Sequence, residues 1–225
     1  MQANNRVFPL LRRTDLAKFL SGDDLRELER FGDVLSRRPG TTLFRQGEPA
    51  ETFFLLLRGS VELRARPPGR RFYRTIEVIG DGCTFGDETI LLEGSYLAGA
   101  RVMESSKALA ISRTTFDKIV EVNADIAVGL LRCAGSCLIQ TIRRSAVLTQ
   151  APAEVALELL LRELALDFAD SNVLRSNGKV PIRITHAQLA GMLHLARETV
   201  SRMLAHLAEQ GTVEMARGLI RVRVD

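Results

Sequence analysis

The 225-residue sequence predicts an α+β protein built from an antiparallel β-roll, one long helix and a C-terminal winged helix-turn-helix. Three observations carry this expectation. From Arg38 to Ser112, short β-favouring segments alternate with glycines; from Ala124 to Thr149 the chain has no proline and two neighbouring apolar stripes; Ile184 to Arg202 reads as two short helices around a tight turn. The length exceeds that of a typical single domain, and 46% hydrophobic content can supply more than one core. The expected divisions are the β-roll with flanking helices at 1–122, the long helix and a hinge at 123–150, and the winged helix-turn-helix domain at 151–225.

In the roll, the expected strands are Thr41 to Arg45, Thr52 to Leu57, Val61 to Ala65, Arg74 to Ile79, Gly99 to Met103 and Ala108 to Ile111. Gly40, Gly47, Gly59, Gly69, Gly82 and Gly94 mark bends between them, and Pro67-Pro68-Gly69 marks a hairpin tip. Beyond the roll, Asn123 or Asp125 is placed to cap the long helix. Ile126, Leu130, Cys133 and Cys137 form one stripe on it, and Leu131, Ala134, Leu138 and Thr141 form a second. Two stripes can bury against two surfaces, either within one chain or between two copies.

A hinge is expected near Leu148 to Pro152, then a helix from Ala153 to Phe168, a polar loop from Asp170 to Lys179 and the segment Val180 to Ile184. In the helix-turn-helix, Leu189, Met192 and Leu193, then Val200, Met203, Leu204 and Leu207, recur at helical spacing. This leaves Arg197, Glu198, Ser201 and Arg202 on one outward face. Arg can pair bidentately with guanine and Glu can accept from cytosine, so the face suits a major groove. The alternative is a solvated helix in which Glu198 and Arg202 form an ordinary ion pair. Thr212 to Met215 and Leu219 to Val224, around Gly218, read as a β-hairpin wing.

The run Arg197-Glu198-Thr199-Val200-Ser201-Arg202, with Ile184-Thr185 before it and Leu204 to Gly211 after it, closely resembles the recognition helix of the cyclic-AMP receptor protein and fumarate-nitrate regulator (Crp/Fnr) transcription factors. The resemblance implies base reading by Arg197, Glu198, Ser201 and Arg202, phosphate contacts from Thr185, His186 and Thr199, and an inverted repeat containing TGTGA-like or TTGA elements. It also implies that the second stripe of the long helix meets a symmetry mate, so the partners are double-stranded DNA, a second copy of the chain and RNA polymerase. His194 departs from the pattern, standing where the turn usually has Gly, so a positive φ is expected on a side chain that rarely adopts it.

Leu43 to Leu63 resembles the opening of the family's cyclic-nucleotide-binding roll, and Phe85 to Val102 aligns with its phosphate-binding cassette. Cyclic-nucleotide members carry Gly-Glu at the start of the cassette and an Arg-hydroxyl pair near its end. This chain has Gly86-Asp87 and Leu97-Ala98, while on the long helix Thr141 is followed by Ile142 rather than a hydroxyl. A buried phosphate without a cationic partner carries a desolvation cost of about several kcal/mol. The expected input is therefore not cyclic AMP but another signal, an apolar ligand such as haem, or none; the alternative is a cyclic-nucleotide response through an altered pocket, in which Arg101 substitutes for the missing cation by way of a rearranged loop. The histidines, His186, His194 and His206, all fall in the DNA-binding part, so haem would rely on Cys83, Met103 or Tyr96. Three cysteines do not supply an iron-sulfur cluster's usual four ligands, and Cys133 and Cys137 read as packing residues.

The net charge is +4, yet residues 151–225 hold nine Lys or Arg against nine Asp or Glu, so DNA affinity must come from where Arg197, Arg202, Arg217, Arg221 and Arg223 are displayed. No apolar leader and no uninterrupted apolar run of membrane-spanning length appears, so a cytoplasmic protein without a membrane partner is expected. No nucleophile, base and oxyanion set, nucleotide-binding Gly loop or metal-ligand cluster points to an enzyme.

Overall fold

The computed structural model describes residues 7–87, 94–168, 179–216 and 218–223. The chain divides into two compact units, Met1–Ile139 and Gln140–Asp225. The first begins with α1 (Phe8–Leu11), a 3-10 turn (Asp15–Lys18) and α2 (Gly22–Phe31). The strands are β1 (Asp33–Arg37), β2 (Thr42–Phe44), β3 (Thr52–Arg58), β4 (Val61–Ala65), β5 (Arg74–Ile79), β6 (Thr84–Phe85), β7 (Gly99–Val102) and β8 (Ser106–Ser112). They form two antiparallel four-stranded sheets, ordered β1-β8-β3-β6 and β2-β7-β4-β5.

The period-two alternation of β3 and β8 builds two cores at once. Phe53, Leu55, Leu57, Leu109 and Ile111 face one way, into a cluster with Leu11, Leu28, Phe116 and Ile119 of the helices. Phe54, Leu56, Ala108 and Ala110 face the other way, into the roll, beside Phe44, Phe85 and Tyr96. Burial on both faces explains why Phe53 to Leu57 is an unbroken apolar run rather than an alternating one. Gly59, at the β3–β4 turn, has φ +109, and a Cβ there would lie 2.2 Å from the Ser106 hydroxyl oxygen, so the position admits only glycine. At the β4–β5 tip, Gly69 has φ +73 and the Arg70 amide donates to the Pro67 carbonyl at 3.1 Å, closing the expected turn.

The cap of α3 (Arg113–Val122) is the Ser112 hydroxyl, which accepts from the Thr115 amide. The long helix α4 (Ala124–Gln150) follows after Asn123, whose side-chain oxygen accepts from the Asp125 amide, so the expected cap is Asn123. The Asn123 amide also donates to Asp24 at 2.8 Å and Glu27 at 2.9 Å, tying the start of α4 to α2. Ile126, Leu130 and Cys133 are buried in the helix-facing core, as the first stripe requires. Cys137, the last member of that stripe, is instead exposed, a departure from the packing role expected of it. Gly129 lets α4 approach so closely that a Cβ there would fall 2.2 Å from Leu20 Cδ2. Val128, Leu131, Leu138 and Ile142 are exposed, Leu131 to 65%. The stretch Ala124–Ala146 has a mean hydropathy of 1.3 over its most apolar window, and by length and composition alone it could cross a membrane.

The second unit begins within α4 at Gln140, and α4 gives way to α5 (Ala153–Phe168) across Ala151-Pro152. Leu157, Leu160, Leu161 and Leu164 of α5 are fully buried. Then come β9 (Lys179–Ile182), α6 (His186–Met192), α7 (Arg197–Glu209), β10 (Val213–Ala216) and β11 (Leu219–Arg223), with a sheet ordered β10-β11-β9. Pro181 is tolerated because β9 is an edge strand. The expected polar loop falls largely on residues 169–178, outside the described residues.

A candidate DNA-reading surface and a filled roll

The first helix of the reading head is set by its cap. Thr185 accepts from the Gln188 amide while the Gln188 side chain accepts from the Thr185 amide, a reciprocal box that starts α6 at His186. The helix ends in a left-handed turn at His194, φ +56, which alone among the described non-glycine residues has a positive φ. This bears out the expectation for that position. The Leu195 amide donates to the Ala190 carbonyl at 3.0 Å, so the chain reverses at His194 and re-enters a helix within three residues.

Leu189, Met192, Leu193, Val200, Leu204 and Leu207 are buried between α6, α7 and their support. Arg197 and Glu198 therefore occupy the first turn of α7, exposed, with Arg202 exposed one turn on. No ion pair joins Glu198 to Arg202 among the described residues, so the salt-bridged alternative does not describe this face. No side chain caps α7 at Ala196, and an open helix N-terminus favours anionic groups.

Ser201 is more constrained than its spacing suggests. Its hydroxyl donates to the Arg197 carbonyl at 3.0 Å and lies 2.7 Å from His186 Nδ1, which must then supply the proton. His186 and Ser201, 15 positions apart, thus pin the two helices together at the reading face. Thr185, His186 and Arg197 also line a groove of about 430 Å³ with Met215 and Ile220 of the wing. The groove brings expected phosphate-contacting and base-reading residues to one concave surface, and Thr199 is half-buried on the first turn of α7.

The neutral charge of this unit hides a separation. Three of its carboxylates lie on α5 in ion pairs, Glu154 with His206, Glu158 with Arg162 and Glu163 with Arg144. Arg221 and Arg223 are exposed on β11, alternating with buried Ile220 and Val222. Arg217 lies outside the described residues.

The interior of the roll is aromatic. Tyr96 stacks on Phe44 at 3.7 Å between ring centroids, and Phe54 and Phe85 stack at 5.2 Å. The Tyr96 hydroxyl accepts from the Thr52 amide at 3.2 Å and donates to the Thr52 carbonyl. Gly86, φ +73, fits against these rings: a Cβ there would lie 3.2 Å from Tyr96 and 3.4 Å from Phe44. The Asp87 carboxylate accepts from the Thr84 hydroxyl at 2.7 Å. Of the expected apolar pair, Ala98 is buried but Leu97 is 71% exposed, so Leu97 does not line the interior, where Tyr96 is buried instead. Arg101 is exposed on β7 between buried Ala100 and Val102, on the outer side of the sheet. Thr141 and Ile142 are exposed on α4 beyond Ile139. Residues 88–93 of the cassette stretch lie outside the described residues.

The sequence pattern singles out Leu97 and hides the role of Tyr96; the signal available was one aromatic two residues after Gly94, too common to stand out. Of the three side chains considered for haem, the Tyr96 hydroxyl is occupied as described and the Cys83 thiol donates to Asp15 at 3.6 Å. The Met103 amide donates to the Ser60 carbonyl, which fixes the backbone there.

Comparison with known proteins agrees with this layout. Residues 34–123 match the cyclic nucleotide-binding domain family and residues 157–224 the Crp-like helix-turn-helix domain family. The chain is 30% identical over 188 residues to the cyclic AMP receptor protein of Thermus thermophilus, covering 82% of this chain and 81% of that protein. It is 25% identical over 202 residues to the anaerobic regulatory protein of Bacillus subtilis, covering 87% and 82%. Among solved structures, FixK2 from Bradyrhizobium japonicum superposes with a TM-score of 0.72 at 19% identity, covering 86% of this chain and 93% of that one.

Proposed function

We propose that this chain, which belongs to the Crp/Fnr family of DNA-binding transcription regulators, acts as a homodimer that reads an inverted repeat and takes its input from something other than cyclic AMP. The observation that carries the reading is the exposed first turn of α7, where Arg197, Glu198 and Arg202 are free of one another beside a groove formed with the wing. Two such helices about one DNA turn apart match a two-fold site. Arg197 and Arg202 then read guanines, Glu198 accepts from a cytosine, and Thr185, His186 and Thr199 hold phosphates. A TGTGA-like or TTGA-containing half-site follows from this set.

Dimerisation rests on the seam Val128, Leu131, Gly135, Leu138 and Ile142, spaced alternately three and four residues apart. Four exposed apolar side chains along one helix face need a cover, and a second copy of α4 supplies it in a cytoplasmic protein. The input reading is supported by Tyr96 and Phe44 filling the roll, by Ala98 and the exposed Leu97 where a cyclic-nucleotide receptor has its phosphate clamp, and by Asp87 already bonded to Thr84. The free protein is then a DNA-competent regulator, or one switched by a non-nucleotide signal, and it carries no catalytic step; RNA polymerase is its downstream partner.

Selection of bound sequences from a random double-stranded pool, without added effector, tests this. Enrichment of a two-fold repeat is expected. Enrichment only after adding cyclic AMP would overturn the input reading, and no enrichment under any addition would overturn the reading of α7.

A further inference from the structure

The β4–β5 hairpin tip concentrates charge that the reading head does not have. Residues 64–74, RARPPGRRFYR, hold five arginines and no carboxylate, more than the net charge of +4 of the whole chain. Phe72 and Tyr73 are 50% and 42% exposed at this tip. The guanidinium carbons of Arg64 and Arg66 lie 5.0 and 4.8 Å from the centre of the Tyr73 ring, and that of Arg74 lies 5.7 Å from Phe72. No ion pair engages these five arginines among the described residues. The Pro67-Pro68-Gly69 turn limits backbone freedom, and the Arg66 amide is held by the Gln46 side chain at 2.9 Å.

Stacking on a ring fixes the plane of a guanidinium while leaving its N–H edge for an acceptor, and paired N–H groups match phosphate oxygens. Holding such charges together also costs repulsion, which a bound polyanion lowers. We propose that the β4–β5 tip is a second DNA-contacting surface, which binds the phosphate backbone of double-stranded DNA without reading sequence. A nucleic acid is favoured over an acidic protein segment because Arg64, Arg66 and Arg74 are planar, ring-supported donors, and Arg70 and Arg71 stand exposed beside them at the turn. The inference rests on the chain being a DNA-binding regulator but assigns contacts outside the helix-turn-helix.

The test uses the full-length protein and a duplex of arbitrary sequence, so that it stands whether or not an inverted repeat is found. Affinity is measured across a salt series for the wild type, for Arg70→Glu/Arg71→Glu and for Arg197→Ala/Arg202→Ala, with thermal melting to confirm that each is folded. The tip variant is expected to bind about tenfold or more weakly and to lower the slope of log K against log salt by about 1 to 2, roughly 0.9 for each phosphate it no longer neutralises. The helix variant is expected to retain that tip-dependent part. Equal affinity and slope for wild type and tip variant would overturn the proposal. So would an unchanged DNA slope combined with loss of binding to poly-glutamate, which would assign the tip to an acidic protein partner. Failure to find a repeat, with the tip effect present, would count against the reading of α7 and not against the tip.

Discussion

Glu198 stands at the second position of α7, exposed and unpaired with Arg202. Its carboxylate is therefore available to a cytosine amine, and Glu198→Ala is expected to relax preference at one base pair of each half-site by about 1 to 3 kcal/mol. Competition binding against single-base variants of the selected site measures this; uniform weakening on every sequence would show that Glu198 reads no base. His194 shows the cost of a special backbone. At φ +56 a β-branched side chain is strained, so His194→Val is expected to destabilise by about 1 to 3 kcal/mol. His194→Gly relieves the strain and should melt no lower than the wild type. Both positions were legible in the sequence, because an outward charged face follows from helical spacing and a turn between two apolar periods demands a reversal. The hydrogen bond between His186 and Ser201 was not, because it joins residues 15 apart through tertiary packing that no local pattern encodes.

Asp24 belongs to the capping box of α2 and also accepts from Asn123 at the start of α4. The Ser21 hydroxyl hydrogen bond, helped by Asn123 and the Ser21 amide and opposed by partial burial, holds its carboxyl below the usual range. A carboxylate with a lowered folded-state pKa contributes stability above its unfolded value and loses it as the pH falls through the folded one. Asp24→Ala is accordingly expected to cost about 1 kcal/mol at neutral pH, with the difference from wild type shrinking as urea unfolding is repeated below the carboxylate range. Leu138, 59% exposed on α4, tests the proposed seam. Leu138→Arg would place like charges across a two-fold contact and is expected to sediment as a monomer, whereas a variant that stays dimeric would move the interface elsewhere. Strands β4 and β5 match the sequence expectation residue for residue, since their glycine and proline boundaries are sharp. By contrast β1, Asp-Val-Leu-Ser-Arg, mixes half-buried and exposed residues at a sheet edge, and β6 has two residues, too few to show any period.

For the molecule as a whole, the net charge is a poor guide and its placement a good one. The unit that carries the reading helix keeps acids paired on α5 and arginines exposed on β11, while among the described residues a block of five arginines outside any ion pair is on the roll. Composition could announce a basic protein; only the fold separates the two contributions. The two-part plan was readable because a glycine-punctuated β region and a two-helix motif differ in period. The filled interior of the roll was not, since whether Leu97 or Tyr96 turns inward depends on a loop conformation that hydrophobicity alone leaves open. The approach of Gly129 to Leu20 bears on any signal that passes along α4. Any side chain at position 129 would put its Cβ 2.2 Å from Leu20 Cδ2, so the Leu20 side chain would have to swing aside. The seat of the first turns of α4 is therefore set by a single side chain of the N-terminal helical segment, and turning the helix there requires Leu20 to repack.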